Sequence, residues 1–99
     1  MTAIPANERG AHHALIRRLM TEAVEEIIEL ENGLAFRLPD HEYHAVSEFV
    51  GRERLCCPFL RFTLDLAAER GPLHLELTGP EGVKDFIRAE LHLPAASRG

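Results

Sequence analysis

Apolar pairs at Leu15/Ile16, Leu19/Met20, Ala23/Val24 and Ile27/Ile28 recur every four residues, which is helical spacing. The same stretch then meets Asn32-Gly33, a strong short-range hairpin signal, followed by "LAFRL", which alternates at Leu34, Phe36 and Leu38. Two solutions satisfy these signals. One is a single long helix that ends with Gly33 just past its C-terminus. The other is a helix from about Glu8 to Glu22, followed by a strand that places Val24, Ile28 and Leu30 on one face.

Beyond Pro39 the pattern is helical again. Asp40 is a suitable N-cap, and Tyr43, Val46, Phe49 and Val50 form the apolar stripe. One turn further, the same face carries Glu53, a charge where an apolar residue is expected. This helix must finish near Cys56, because Pro58 disfavours helical geometry at Cys57. "LRFTLDL" then alternates, with Leu60, Phe62, Leu64 and Leu66 on one side and Arg61, Thr63 and Asp65 on the other. "LHLEL" repeats the alternation with Leu73, Leu75 and Leu77 inward and His74 and Glu76 outward. "TGPEG" is expected to open a last helix, with Pro80 suited to its first position and a stripe of Val83, Phe86, Ile87 and Leu91.

Each expected strand pair has one apolar face and one largely polar face, which suits an antiparallel sheet covered on one side. The reading is therefore a two-layer α+β domain of order α-β-β-α-β-β-α, with a four-stranded antiparallel sheet and helices on one face. The chain is long enough for one hydrophobic core, so residues 1–99 are read as a single domain. Its ordered core spans about residues 8–93, between a loose lead-in at residues 1–7 and a frayed tail after Pro94.

Charge and composition exclude more than they assign. The net charge is −5 and no basic cluster outweighs the neighbouring acids, so no nucleic-acid partner is expected. The N-terminus lacks a basic start and apolar run, and no segment approaches membrane-span length; a cytoplasmic protein with no membrane partner is expected. In that compartment cysteines are reduced thiols rather than structural bridges.

Both cysteines of the chain stand side by side in "RLCCPFLRF". Adjacent Cα atoms lie about 3.8 Å apart, below the usual disulfide range of roughly 4.4–6.8 Å, so Cys56 and Cys57 should rest as free thiols. Paired thiolates suit a thiophilic metal or metalloid ion: mercury, arsenic, zinc or copper. Two sulfurs do not complete a tetrahedral shell. Glu53, at i−3 from Cys56, can add a donor, as can His74 if the fold brings it near, a small exogenous thiol or a second protomer. His41 and His44 cannot, because His44 lies a helical rise of about 18 Å from Cys56. The metal-ligand candidates are thus Cys56, Cys57 and Glu53, with an unassigned thiophilic ion as the one expected cofactor.

Other features have plainer readings. "HEYH" lacks the i, i+4 histidine spacing of a zinc protease, and it reads as a solvated helical turn, as does His12-His13. The alternative function is a homodimeric or partner-binding module in which the cysteines only pack. A thiol enzyme ranks last, since spacing assigns no base to either sulfur.

The segments "ELENGLAFRLP" and "ERLCCPFLRFTLDL … GPLHLELTGPEGVKDF" resemble a group of small bacterial proteins that carry E-x-x-C-C-P-F, an alternating strand and a G-P-E-G segment. The matching motif positions are Glu53, Cys56, Cys57, Pro58 and Phe59. The resemblance spans roughly residues 15–92 and favours the hairpin over the long helix. It also implies an association with heavy-metal response, through mercury or arsenic.

Overall fold

The two-residue loop Glu31–Asn32 joins β1 (Glu26–Leu30) to β2 (Gly33–Leu38), so the hairpin forms and the long helix does not. The turn lies one residue earlier than the Asn-Gly signal implies, because Leu30 pairs with Gly33. Gly33 is needed for another reason: a Cβ there would run into the Leu77 carbonyl oxygen and the Thr78 Cα of the neighbouring strand. Its role is close approach between strands.

The computed structural model describes residues 4–94. Residues 1–3 of the expected lead-in and 95–99 of the expected tail lie outside them. The order is α1 (Ala6–Arg18), prolonged by a π-helical turn at Leu19–Ala23, then β1, β2, α2 (Tyr43–Cys56), β3 (Arg61–Leu66), β4 (Leu73–Thr78) and α3 (Val83–Glu90). The strands form one antiparallel sheet in the order β1-β2-β4-β3. This is the α+β arrangement expected from the patterning. No helix among the described residues is long and apolar enough to cross a membrane.

Register and burial place the core. Leu34 pairs with Leu77 and Phe36 with Leu75 across β2 and β4, and Phe62 and Leu64 of β3 continue those rows. This face packs against Ile16 and Leu19 of the first helix, Val46 and Phe49 of α2, and Val83 and Ile87 of α3. The other face carries Arg37, His74 and Asp65 in one row and Ala35, Glu76 and Thr63 in another.

Several local expectations are corrected. Ile4 is buried and α1 begins at Ala6, two residues before the expected start near Glu8. In β1, Ile28 and Leu30 share the open face with Ala35 and Gly33, whereas Ile27 and Glu29 sit opposite Phe36 and Leu34. Glu29 then bridges to Lys84 (2.8 Å) and Arg88 (3.5 Å) of α3, pinning the edge strand by charge. Asp40 caps no helix; a short 3₁₀ turn at Asp40–Glu42 precedes α2, and Asp40 accepts from Arg70 instead. Tyr43, expected on the apolar stripe, is exposed. Pro80 opens a turn closed by the Val83 N–H to its carbonyl, and Gly82 at φ 89° leads into α3.

Candidate metal centre

The C-C-P-F segment is a helix end, a turn and a strand start compressed into a few residues. Val46, Phe49 and Glu53 form the buried stripe of α2, and Cys57 falls one turn beyond Glu53 on the same line. The Cys57 N–H closes the last turn by donating to the Glu53 carbonyl (2.8 Å), while Pro58 holds Cys57 outside the helix at φ −128°, ψ 67°. The Leu60 N–H then donates to the Cys57 carbonyl (3.1 Å), closing a turn with proline at its favoured second position. The next residue of that turn, Phe59, sets its exposed ring edge-on to Phe86 of α3, with centroids 5.0 Å apart. Phe86 stands one helical turn before Glu90, so this aromatic pair ties the cysteine turn to the helix that presents Glu90.

Glu53, Cys56, Cys57 and Glu90 bring one donor atom each within 4.8 Å of the others, a grouping able to hold a metal ion. The structure thus brings together all three sequence candidates and adds a fourth acid. The Cys57 and Cys56 sulfurs are 3.2 Å apart and unbridged. Cys57 Sγ also lies 3.4 Å from Glu53 Oε2, and Cys56 Sγ lies 3.8 Å from Glu90 Oε2. Cys57 and Glu53 are sealed from solvent, whereas Cys56 and Glu90 are partly exposed. One side of the cluster is therefore closed and the other faces out.

Behind the cluster stands His12, which sequence reading assigned to a solvated turn. It is buried, stacks on Phe49, and places Nε2 2.8 Å from Glu53 Oε1. Burial and the Arg52 charge lower its pKa, partly offset by Glu90 and Glu48, so the neutral ring is favoured. For a carboxylate to accept at Oε1, the proton must sit on Nε2. That leaves Nδ1 as a buried lone pair with no donor among the described residues.

The other shifts reflect burial and the crowding of acids. Burial pushes the Cys57 thiol strongly upward, reinforced by the hydrogen bond to Cys56 and the charges of Glu53 and Glu90. Burial first, and then sharing a hydrogen bond with Glu53, raises the Glu90 carboxyl to about 7. Burial is the leading cause of both shifts, and the crowding of acids adds to it.

His74 takes no part: it lies on β4 opposite Arg37 and Asp65, on the face of the sheet turned away from the helices. His41 and His44 are exposed near the start of α2, at the opposite end from Cys56. Glu90 and His12 both had a readable signal. Glu90 sits beside Leu91 and three residues after Ile87 on the α3 stripe, and His12 sits four residues before Ile16 on the α1 stripe.

No protein-family model, curated protein or solved structure matches the chain.

Proposed function

We propose that this protein binds a thiophilic metal or metalloid ion through Cys56 and Cys57, with Glu53 and Glu90 completing the donor set. The observation that carries this reading is the convergence of two acids, from two helices distant in sequence, on a pair of vicinal thiols. Burial makes the Cys57 thiol and the Glu90 carboxyl costly to ionise, and a cation that displaces their protons offsets that cost. Soft sulfur donors select zinc, copper(I) and heavier thiophilic ions over magnesium or calcium.

The dimensions favour a four-coordinate ion. Two thiolates bound at about 2.3 Å in a tetrahedral shell lie about 3.8 Å apart, about 0.6 Å wider than the 3.2 Å between the resting thiols. A linear two-sulfur ion would need them about 4.6 Å apart. Zinc therefore ranks ahead of linear mercury(II). His12 acts behind the shell, orienting Glu53 as outer partners orient metal ligands. Among the described residues neither sulfur is hydrogen-bonded to an imidazole, so nucleophilic chemistry has less support than ion binding. The expected setting is the cytoplasm.

The test is native mass spectrometry of the reduced protein with zinc, copper(I), arsenite or mercury(II), each against excess glutathione. One ion retained per chain, and lost in Cys56→Ser and Cys57→Ser, supports the reading. Ions stripped by glutathione, or retained in both variants, would leave the cysteines as packing residues.

A further inference from the structure

A cavity of about 290 Å³ opens beside the exposed side of the cluster, lined by Arg9, His12, His13, Cys56, Glu90 and His92. It reaches the more accessible thiol and the outer acid, but neither Cys57 nor Glu53 lines it. Its wall differs in character from the protein as a whole. The chain carries a net charge of −5, yet this wall sets a guanidinium and three imidazoles, one of them the neutral His12, against a single carboxyl, Glu90. Arg9 is anchored there by donating from Nε to the Ile4 carbonyl (3.2 Å). The rings of His13 and His92 lie 6.4 Å apart across α1 and the end of α3.

His92 is held in place against its backbone preference. It adopts φ 58° just past α3, where the Leu93 N–H donates to the Arg88 carbonyl (2.7 Å). Glycine or asparagine is the usual residue at such a helix end. The buried His12 Nδ1, an acceptor without a donor among the described residues, belongs to a ring of the same wall.

We propose that this cavity docks a small carboxylate-bearing thiol, and that the ion reaches the site as that thiol's complex. The proposal rests on the ion-binding reading for its cargo, and on the cavity alone for its subsite. An anion is the ligand that a guanidinium fork selects, and a carboxylate matches its geometry. The cavity lies at the small end of ligand-pocket sizes, which suits a carrier of amino-acid to short-peptide dimensions. Cys56, the sulfur that lines the cavity, is the first such a complex meets. Delivery is then thiol exchange: two metal–sulfur bonds to carrier thiolates break and two form to Cys56 and Cys57. The two cysteine protons leave on the two released carrier thiols, any proton held by Glu90 passes to water as its carboxylate joins the ion, and nothing is oxidised or reduced.

The subsite is tested on the ion-free protein with three near-isosteric disulfides: anionic dithiodiglycolate, neutral bis(2-hydroxyethyl) disulfide and cationic cystamine. The rate of mixed-disulfide formation at Cys56 is followed by mass spectrometry in a Cys57→Ala background, and each rate is divided by that of the same reagent with a free thiol. The anionic reagent is expected to gain roughly five- to tenfold over the cationic one, the size of one partly screened charge contact. Arg9→Gln should reduce that ratio towards one, and Arg9→Lys should restore part of it. A ratio of one in the unsubstituted cavity, or a ratio untouched by Arg9→Gln, would overturn the subsite even if the protein binds ions. Selectivity without ion binding in the wild-type protein would instead overturn the cargo and leave a docking site for an anionic thiol.

Discussion

His12 Nε2 lies 2.8 Å from Glu53 Oε1, with both side chains sealed from solvent, and this contact joins the first helix to the second beneath the cysteine turn. An acid stripped of its donor in such a place is expensive. His12→Phe keeps a ring against Phe49 but removes the donor, and it should cost about 2–3 kcal/mol in urea unfolding. Adding Glu53→Leu should recover much of that loss, since the buried acceptor goes with it. A His12→Phe effect within about 0.5 kcal/mol would show that Glu53 has another adequate partner.

Glu90 should tilt the pH dependence of stability in the ion-free protein. Its carboxyl is raised from 4.5 to about 7 by burial and by Glu53. Between those values the folded state holds a proton that the unfolded state has released. Its contribution to stability is thus fully present below pH 4.5 and is lost as the pH rises through about 7. The difference is on the order of 2 kcal/mol for a partly exposed group. His12 works in the opposite sense: its pKa is lowered from 6.5, so its contribution is present above that value and is lost as the pH falls. Comparing Glu90→Gln with the wild type isolates the first slope. The variant should gain on the wild type between pH 5 and pH 8 in thermal melts, and parallel curves would contradict this.

The two thiols should differ sharply in reactivity. Cys57 is 1% exposed and its thiol is shifted upward, while Cys56 is partly exposed and lines the cavity. Iodoacetamide should modify Cys56 alone in the native reduced protein and both residues after unfolding. Zinc should slow the first reaction at least tenfold if both sulfurs bind it. Equal labelling of the two cysteines in the native state would refute the half-closed geometry.

Phe59 is exposed at 52%, yet its ring sets α3 against the cysteine turn through Phe86. Phe59→Ala should therefore cost only about 1 kcal/mol of stability. It should weaken zinc binding as well, because Glu90 stands one turn beyond Phe86 on the loosened helix. Calorimetric titration of zinc into the variant measures this, and an unchanged affinity would mean that α3 is held in register by its other contacts.

The elements beyond Gly33 were legible because the period changed from helical to alternating between them, and the apolar residues of β4 and α3 needed no tertiary information. β1 was less legible, because it is an edge strand held by Glu29 to Lys84 and Arg88, a contact between residues far apart in sequence. Glu53 could be found in advance because it interrupts an apolar stripe. His12 and Glu90 interrupt theirs in the same way, but His12 stands beside His13, which made a solvated turn the simpler reading, and Glu90 stands near the end of its helix, where a charge needs no special explanation. What no local pattern contains is that the interrupted stripes of three helices meet at one point. The cavity likewise depends on how α1 and the end of α3 pack.

The central claim is that two sulfurs and two carboxylates of one chain share one ion, and X-ray absorption spectroscopy of the zinc-loaded, reduced protein tests it most directly. The account predicts one zinc per chain, with two sulfurs at about 2.3 Å, two oxygens at about 2.0 Å and no imidazole scattering. A shell of four sulfurs would mean that two chains share the ion without the acids, and a shell without sulfur would place zinc elsewhere; either result contradicts the account.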